Sequence, residues 1–186
     1  MPPATRTDLF AFLDRLGIAT ETVEHAPVFT VAESRALKVA IPGGHSKNLF
    51  LKDRRARLYL VVAQDETRID LKRLHEAIGA SGRLSFGSAD LLRAALGVEP
   101  GSVTPFATIN DHDRRVSVVL DASLMAFEQV NFHPLANSMT TTIARGDLIR
   151  FLQATGHEPR VLALPEPTSG TALSEGLRSS VSDATP

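Results

Sequence analysis

Lys47 stands where a cation could do chemistry. It lies just after the turn Pro42-Gly43-Gly44, in the run Ser46-Lys47-Asn48-Leu49-Phe50-Leu51-Lys52-Asp53. The apolar residues of that run predict a buried strand. A lysine at the head of such a strand can point into a cleft, where it presents a compact cation with three donors. Such a group can hold a phosphate or an ester carbonyl, and it holds the carbonyl more strongly as that oxygen becomes an oxyanion. The plainer reading is a lysine that caps a sheet edge. The chain has only four lysines (Lys38, Lys47, Lys52 and Lys72) among 20 basic residues.

Two further segments carry polar groups at turns. Gly101-Ser102-Val103-Thr104-Pro105-Phe106 has the pattern G-x-x-x-P. Glycine there lets backbone N–H groups approach a ligand closely, and Ser102 and Thr104 add hydroxyls. The alternative is a simple joint between two elements, since Gly and Pro are the usual turn residues. In Asn131-Phe132-His133-Pro134-Leu135-Ala136-Asn137, the proline forces an extended backbone on His133. That histidine fits three roles: a core residue bonded to backbone, the wall of a pocket, or a general base titrating near neutrality. The most basic run, Lys52-Asp53-Arg54-Arg55-Ala56-Arg57, falls at an expected hairpin tip. It reads either as a solvated turn or as a phosphate contact.

Other chemistries are set aside. No Gly directly precedes Lys47, so the phosphate-loop spacing G-x-x-x-x-G-K-[ST] fails. His75-Glu76 lacks the second histidine of H-E-x-x-H, and no G-x-S-x-G elbow occurs. Asp111-His112-Asp113 reads as a solvated turn before a strand rather than a metal site. Zero cysteines exclude disulfides, thiolate nucleophiles and Cys-ligated zinc. No metal or organic cofactor is expected. With 5% aromatics and no Trp, a base-stacking platform is not expected either. The net charge of −1 implies that any contact with nucleic acid is local. No stretch reaches the ~20 apolar residues of a membrane span, and no signal-peptide pattern is seen, which points to the cytoplasm.

The elements that must position these residues follow from periodicity. Helices are expected at 5–16, 32–39, 70–78, 88–96 and 146–154. Strands are expected at 20–24, 46–52, 57–63, 83–86, 116–120, 127–132, 139–144 and 160–163. A Gly/Pro loop is expected at 98–105. The interleaving predicts one mixed α/β (α+β) domain over 1–164. From 165 to 186, Pro, Ser, Thr and Gly dominate and the apolar spacing is lost, which predicts a disordered tail.

The three segments around Lys47, Gly101–Pro105 and His133, with the Thr-rich run Thr140-Thr141-Thr142 after them, occur in one order and spacing. Together the chain resembles the YbaK and ProX-like family, the freestanding relatives of the editing domain of prolyl-tRNA synthetases. The resemblance spans about residues 5–160. It implies a central mixed, mostly antiparallel sheet wrapped by helices. It implies a hydrolase that removes a wrong amino acid, foremost alanine, from tRNA(Pro); Ser- or Cys-tRNA deacylation, or a non-catalytic module binding tRNA or a synthetase, are the competing readings. It implies aminoacyl-tRNA as partner, with prolyl-tRNA synthetase as a second, and no membrane. It assigns the catalytic role to Lys47. It assigns substrate binding to Thr30, Asn48, Gly101, Ser102, Thr104, Pro105, His133 and Asn137.

Overall fold

The computed structural model describes residues 2–25 and 40–167. The expected helix at 32–39, Thr30 and most of the expected tail lie outside these residues.

The continuous apolar run Leu58-Tyr59-Leu60-Val61-Val62-Ala63 needs burial on both faces, and the fold supplies it. It forms β3 (Leu58–Gln64), antiparallel to β2 (Gly44–Lys52) and parallel to β5 (Val116–Asp121). Leu58, Leu60 and Val62 enter one core with Leu9, Leu92, Phe106 and Phe151. Tyr59, Val61 and Ala63 enter a smaller core with Leu74, Ile78 and Leu164.

Around this centre the sheet adds β1 (Thr20–Glu24), β4 (Ser85–Phe86), β6 (Gln129–Phe132), β7 (Met139–Ala144) and β8 (Arg160–Leu162). The order is β1-β7-β6-β2-β3-β5-β8, with β4 beside the far end of β2. Four of the seven pairings are antiparallel and three parallel, so the sheet is mixed as expected.

Three helices cover the larger core: α1 (Arg6–Arg15), α3 (Ala89–Leu96) and α4 (Arg145–Ala154). α1 starts with a reciprocal cap in which Thr5 Oγ1 accepts from Asp8 N and the Asp8 carboxylate accepts from Thr5 N. α3 starts at Ser88 and ends at Gly97, whose φ of 64° places it in the left-handed region. Among the described residues no helix is long and apolar enough to cross a membrane.

Four sequence expectations need correction. The helix expected over 70–78 is only α2 (Leu74–Ala77). The Asp70 carboxylate accepts from the N–H of Lys72 and Arg73, which holds a turn in place of a first helical turn. The strand expected from 127 begins at Gln129, because Leu124–Ala126 wind into a 3-10 turn. The loop expected over 98–105 passes at Pro105 into a 3-10 helix, Pro105–Asn110. Asp111 is not solvated. It is buried and accepts from Arg115 N, Val116 N and His157 Nε2, the last at 3.1 Å. His112 and Asp113 are exposed, as expected of a turn. Burial pushes the Asp111 carboxyl up, but the bonds from His157 and the two backbone N–H groups outweigh it and hold it below the ordinary range.

Candidate active site

Alternation along β2 sorts its side chains. Ser46, Asn48 and Phe50 face the larger core, while His45, Lys47 and Leu49 face the other way. β2 pairs in parallel with β6 at His45↔Asn131, and β6 pairs with β7 at Asn131↔Thr142. The β2–β6 pairing ends at His45↔Asn131; Lys47 follows His45 by two residues on β2, and His133 lies just past the end of β6. One face of the sheet therefore presents His45, Lys47, Asn131, Thr142 and Thr140 in adjoining rows.

These groups are cross-braced. Thr142 Oγ1 donates to Asn131 Oδ1 at 2.6 Å, and Asn131 Nδ2 donates to Pro42 O at 3.0 Å. Ser46 Oγ donates to Asn131 O at 3.1 Å. His133 Nδ1 meets Met139 O at 2.9 Å, so it acts there as the donor. That bond leaves Nε2 as the free position on a half-buried ring. Its ring lies 6.5 Å from that of His25, which meets Thr140 Oγ1 at 2.9 Å.

Lys47 is half-buried, and its ammonium is held from one side. Nζ donates to Asp65 O at 3.1 Å and to Thr67 O. An ammonium has three N–H bonds, so one donor remains. The carbonyls are themselves positioned. Asp121, buried at the end of β5, accepts from Gln64 N at 3.1 Å and from Thr67 Oγ1 at 2.7 Å through the same oxygen. The chain Asp121–Thr67–Lys47 thus fixes the cation from inside the sheet. Sequence reasoning missed Asp121 and Thr67. The available signal was an aspartate ending the apolar run Val116-Ser117-Val118-Val119-Leu120, a place where a carboxylate must find donors.

The Gly101–Pro105 loop meets β2 from its other side. Asn48 Nδ2 donates to Val103 O at 2.9 Å, and Asn48 Oδ1 is buried with no hydrogen bond among the described residues. Gly101 has φ 89°, and a Cβ built there would lie 4.0 Å from Asn137 Nδ2. Gly101 and Asn137 are therefore neighbours. Gly101 is exposed and Asn137 partly so. Ser102, Thr104 and Pro105 are buried. Thr104 Oγ1 accepts from Phe106 N and starts the 3-10 helix, so its hydroxyl is used structurally. The structure thus brings Asn48 to the loop and Gly101 to Asn137, while Lys47 is held by the Asp65 and Thr67 carbonyls and His133 by Met139 O. A separate recess of ≈ 850 Å³ between α1, the 3-10 helix and the end of α4 contains none of these residues.

A proton-neutral arrangement of this kind suits polarisation and positioning more than covalent attack. A fixed cation with one spare donor lies on one face of β2 with hydroxyl groups on the neighbouring strands, and the glycine loop meets the other face through Asn48.

The family model described as the aminoacyl-tRNA editing domain matches residues 25–151. The Prolyl-tRNA editing protein ProX of Acetoanaerobium sticklandii is 38% identical over 157 residues, covering 84% of this chain and 95% of its own. The Prolyl-tRNA synthetase associated domain-containing protein 1 of Danio rerio is 38% identical over 164 residues, covering 87% of this chain and 89% of its own. A crystal structure of a candidate trans-editing enzyme for prolyl tRNA synthetase shares the fold, with TM-score 0.64, 19% identity, and coverage of 87% of this chain and 99% of that one.

Proposed function

This chain belongs to the aminoacyl-tRNA editing domain family and is an aminoacyl-tRNA deacylase, and from that footing we propose that it hydrolyses Ala-tRNA(Pro) in trans. The observation that carries the reading is Lys47: a cation held on two backbone carbonyls, with one donor left among the described residues. The prolyl assignment draws on the names of relatives that are 38% identical over most of the chain.

The chemistry needs little more than this. Water attacks the carbonyl carbon of the aminoacyl ester, and the carbonyl oxygen becomes an oxyanion. The spare N–H of Lys47 stabilises that charge or holds the adjacent phosphate. Collapse breaks the bond to the ribose oxygen, which leaves with the proton given up by the water. The neighbouring ribose hydroxyl of the tRNA orients the attacking water, so no side-chain base is required. An aminoacyl ester is already activated, and positioning supplies much of the remaining rate. In this reading Asn48, Gly101 and Asn137 border the esterified adenosine, and Thr30, which lies outside the described residues, is proposed to bind substrate as well. Ser102, Thr104 and Pro105 act by fixing the loop's backbone. His133 serves as a wall that limits side-chain size. Prolyl-tRNA synthetase is the partner that generates the substrate.

The selectivity follows from pocket physics. A synthetase site built for proline cannot firmly reject the smaller alanine, since a methylene in an apolar pocket is worth only about 1–3 kcal/mol. A second site that admits alanine and excludes proline by size corrects the error. The test is a hydrolysis panel of tRNA(Pro) and tRNA(Ala), each charged with Ala, Ser, Cys or Pro. Rapid loss of Ala from tRNA(Pro) with Pro spared is expected. Equal hydrolysis of the Ala and Pro esters of tRNA(Pro), or of neither, would sink the reading.

A further inference from the structure

At the end of β2 opposite Lys47, a buried carboxylate gathers arginines. Asp53 is enclosed at the β2–β3 turn. Its Oδ1 accepts from Arg55 N at 2.9 Å and Arg57 N at 3.0 Å. Its Oδ2 accepts from Arg57 Nε at 2.8 Å, from Tyr59 Oη at 3.3 Å and from Ser81 N at 2.9 Å. The last bond staples the hairpin tip to the segment that follows α2, as does the bond from Arg54 N to Ser81 O at 3.2 Å. Gly82 lies under Arg54: a Cβ built there would come within 2.6 Å of Arg54 Cδ, so the arginine stem crosses close over a residue whose φ of 72° favours glycine.

One carboxylate therefore orders the tip that carries Arg54, Arg55 and Arg57, and the segment stapled to it through Ser81 carries Arg83. Asp53 is also the only acid in the sequences 53–57 and 79–83. Its charge is spent on Arg57 and on backbone donors. Arg54, Arg55 and Arg83 are exposed and have no carboxylate partner among the described residues. A turn that needed only solubility would not require a fully buried acid to order the backbone that carries unpaired guanidinium groups. Nor would a protein of net charge −1 gather its cations without a local use for them.

We infer that this tip binds the phosphates of the tRNA acceptor stem, an assignment that rests on the deacylase reading above. From Lys47 to Lys52 β2 runs five residues, about 17 Å at ~3.4 Å each. A nucleic-acid strand advances about 3.4 Å per nucleotide, so the tip lies about five nucleotides from the esterified end. That is close to where the exposed 3′ end joins the stem. Planar guanidinium groups suit bidentate contact with phosphate oxygens there. Contacts of this kind set register on the stem and carry no sequence information.

The experiment compares wild type with Arg54→Gln/Arg55→Gln/Arg83→Gln, which leaves Asp53 and Arg57 in place. Hydrolysis of Ala-tRNA(Pro) is measured against salt, with 3′-O-alanyl-adenosine as a substrate that has no phosphate, and binding of uncharged tRNA(Pro) is measured directly. A thermal midpoint equal to wild type confirms folding. The variant is expected to raise KM for the tRNA about tenfold or more, and to reduce the salt slope of binding by about two to three. Its preference for tRNA over the adenosine ester should fall by the same factor as KM rises. An unchanged KM, slope and tRNA affinity would overturn the inference. If wild type cleaved neither ester, the deacylase reading would fail on its own, and the binding slopes would still decide the role of the tip.

Discussion

At the scale of single residues, the proposed site works as a positioned cation. A lysine nucleophile would need a lowered pKa and would form an amide with the amino acid. An amide is harder to hydrolyse than the starting ester, so that route would trap the enzyme. Lys47 acting as a charge and donor, as proposed, would release product freely. Lys47→Ala is expected to cut kcat by roughly a hundredfold or more, the scale seen when one oxyanion donor is lost. Lys47→Arg should recover only part of this, because a guanidinium places its donors elsewhere. Single-turnover rates, with mass spectrometry of enzyme quenched during turnover, check both points; an alanyl adduct on Lys47 that decays at the catalytic rate would refute the role. The bond from Thr67 Oγ1 to Asp121 gives a second test. Thr67→Val keeps the carbonyl that Lys47 holds but frees the segment that carries it. We expect kcat to fall roughly tenfold to a hundredfold, by analogy with small misplacements of reacting groups. KM should change little, and an unchanged kcat would show that Asp121 is merely structural.

At the scale of elements, legibility followed whether a pattern was local. β2 and β3 were readable because apolar runs flanked a polar turn, and α1 and α3 because Thr5, Ser88 and Gly97 mark their ends. The short α2 was not, since Asp70 competes for the N–H groups of the first turn. The burial of Asp111 was not readable either. His157, 46 positions away, is what makes it tolerable. The loop around Thr104 was readable as a turn, yet the direction of its hydroxyl depended on a cap that only the fold creates. Asp53 gives the element-scale prediction. Burial pushes its carboxyl up, but donors from Ser81, Arg57 and Arg55 outweigh this and hold it well below the usual carboxylate range. A depressed folded pKa stabilises fully above the unfolded value of about 3.9 and is lost as pH falls toward the folded one. The stability gap between wild type and Asp53→Asn should therefore be flat from neutrality to about pH 5, then close as pH drops below about 4. Urea midpoints across that range measure it, and a gap that widens on acidification would contradict the assignment.

At the scale of the whole molecule, a net charge of −1 and an Arg-rich tip describe one design. Under the proposed reading, a chain with no general basic field would grip its substrate only where geometry puts cations. The same separation of local from global governs the C-terminal boundary. Composition leads to an expected domain end at 164. The structure makes the last contacts explicit: Leu164 is 8% exposed and packs in the core with Leu51, Tyr59 and Leu74, and Pro165 O accepts from Asp70 N at 2.7 Å. That bond anchors the turn leading into α2, which lies a few residues beyond the carbonyls that hold Lys47. Residues past 167 carry few apolar side chains and no periodicity, so deleting them should remove little buried surface. A chain ending after Pro165 is therefore expected to match the full chain in turnover, and in stability to within about 0.5 kcal/mol. A chain ending after Ala163 loses the leucine and the backbone acceptor together. Burying one leucine side chain is worth about 1.5–3 kcal/mol, so this second truncation should lower the denaturation midpoint clearly and reduce turnover through the 65–73 segment. Equal losses in the two truncations would show that the segment after Pro165 itself docks on the domain.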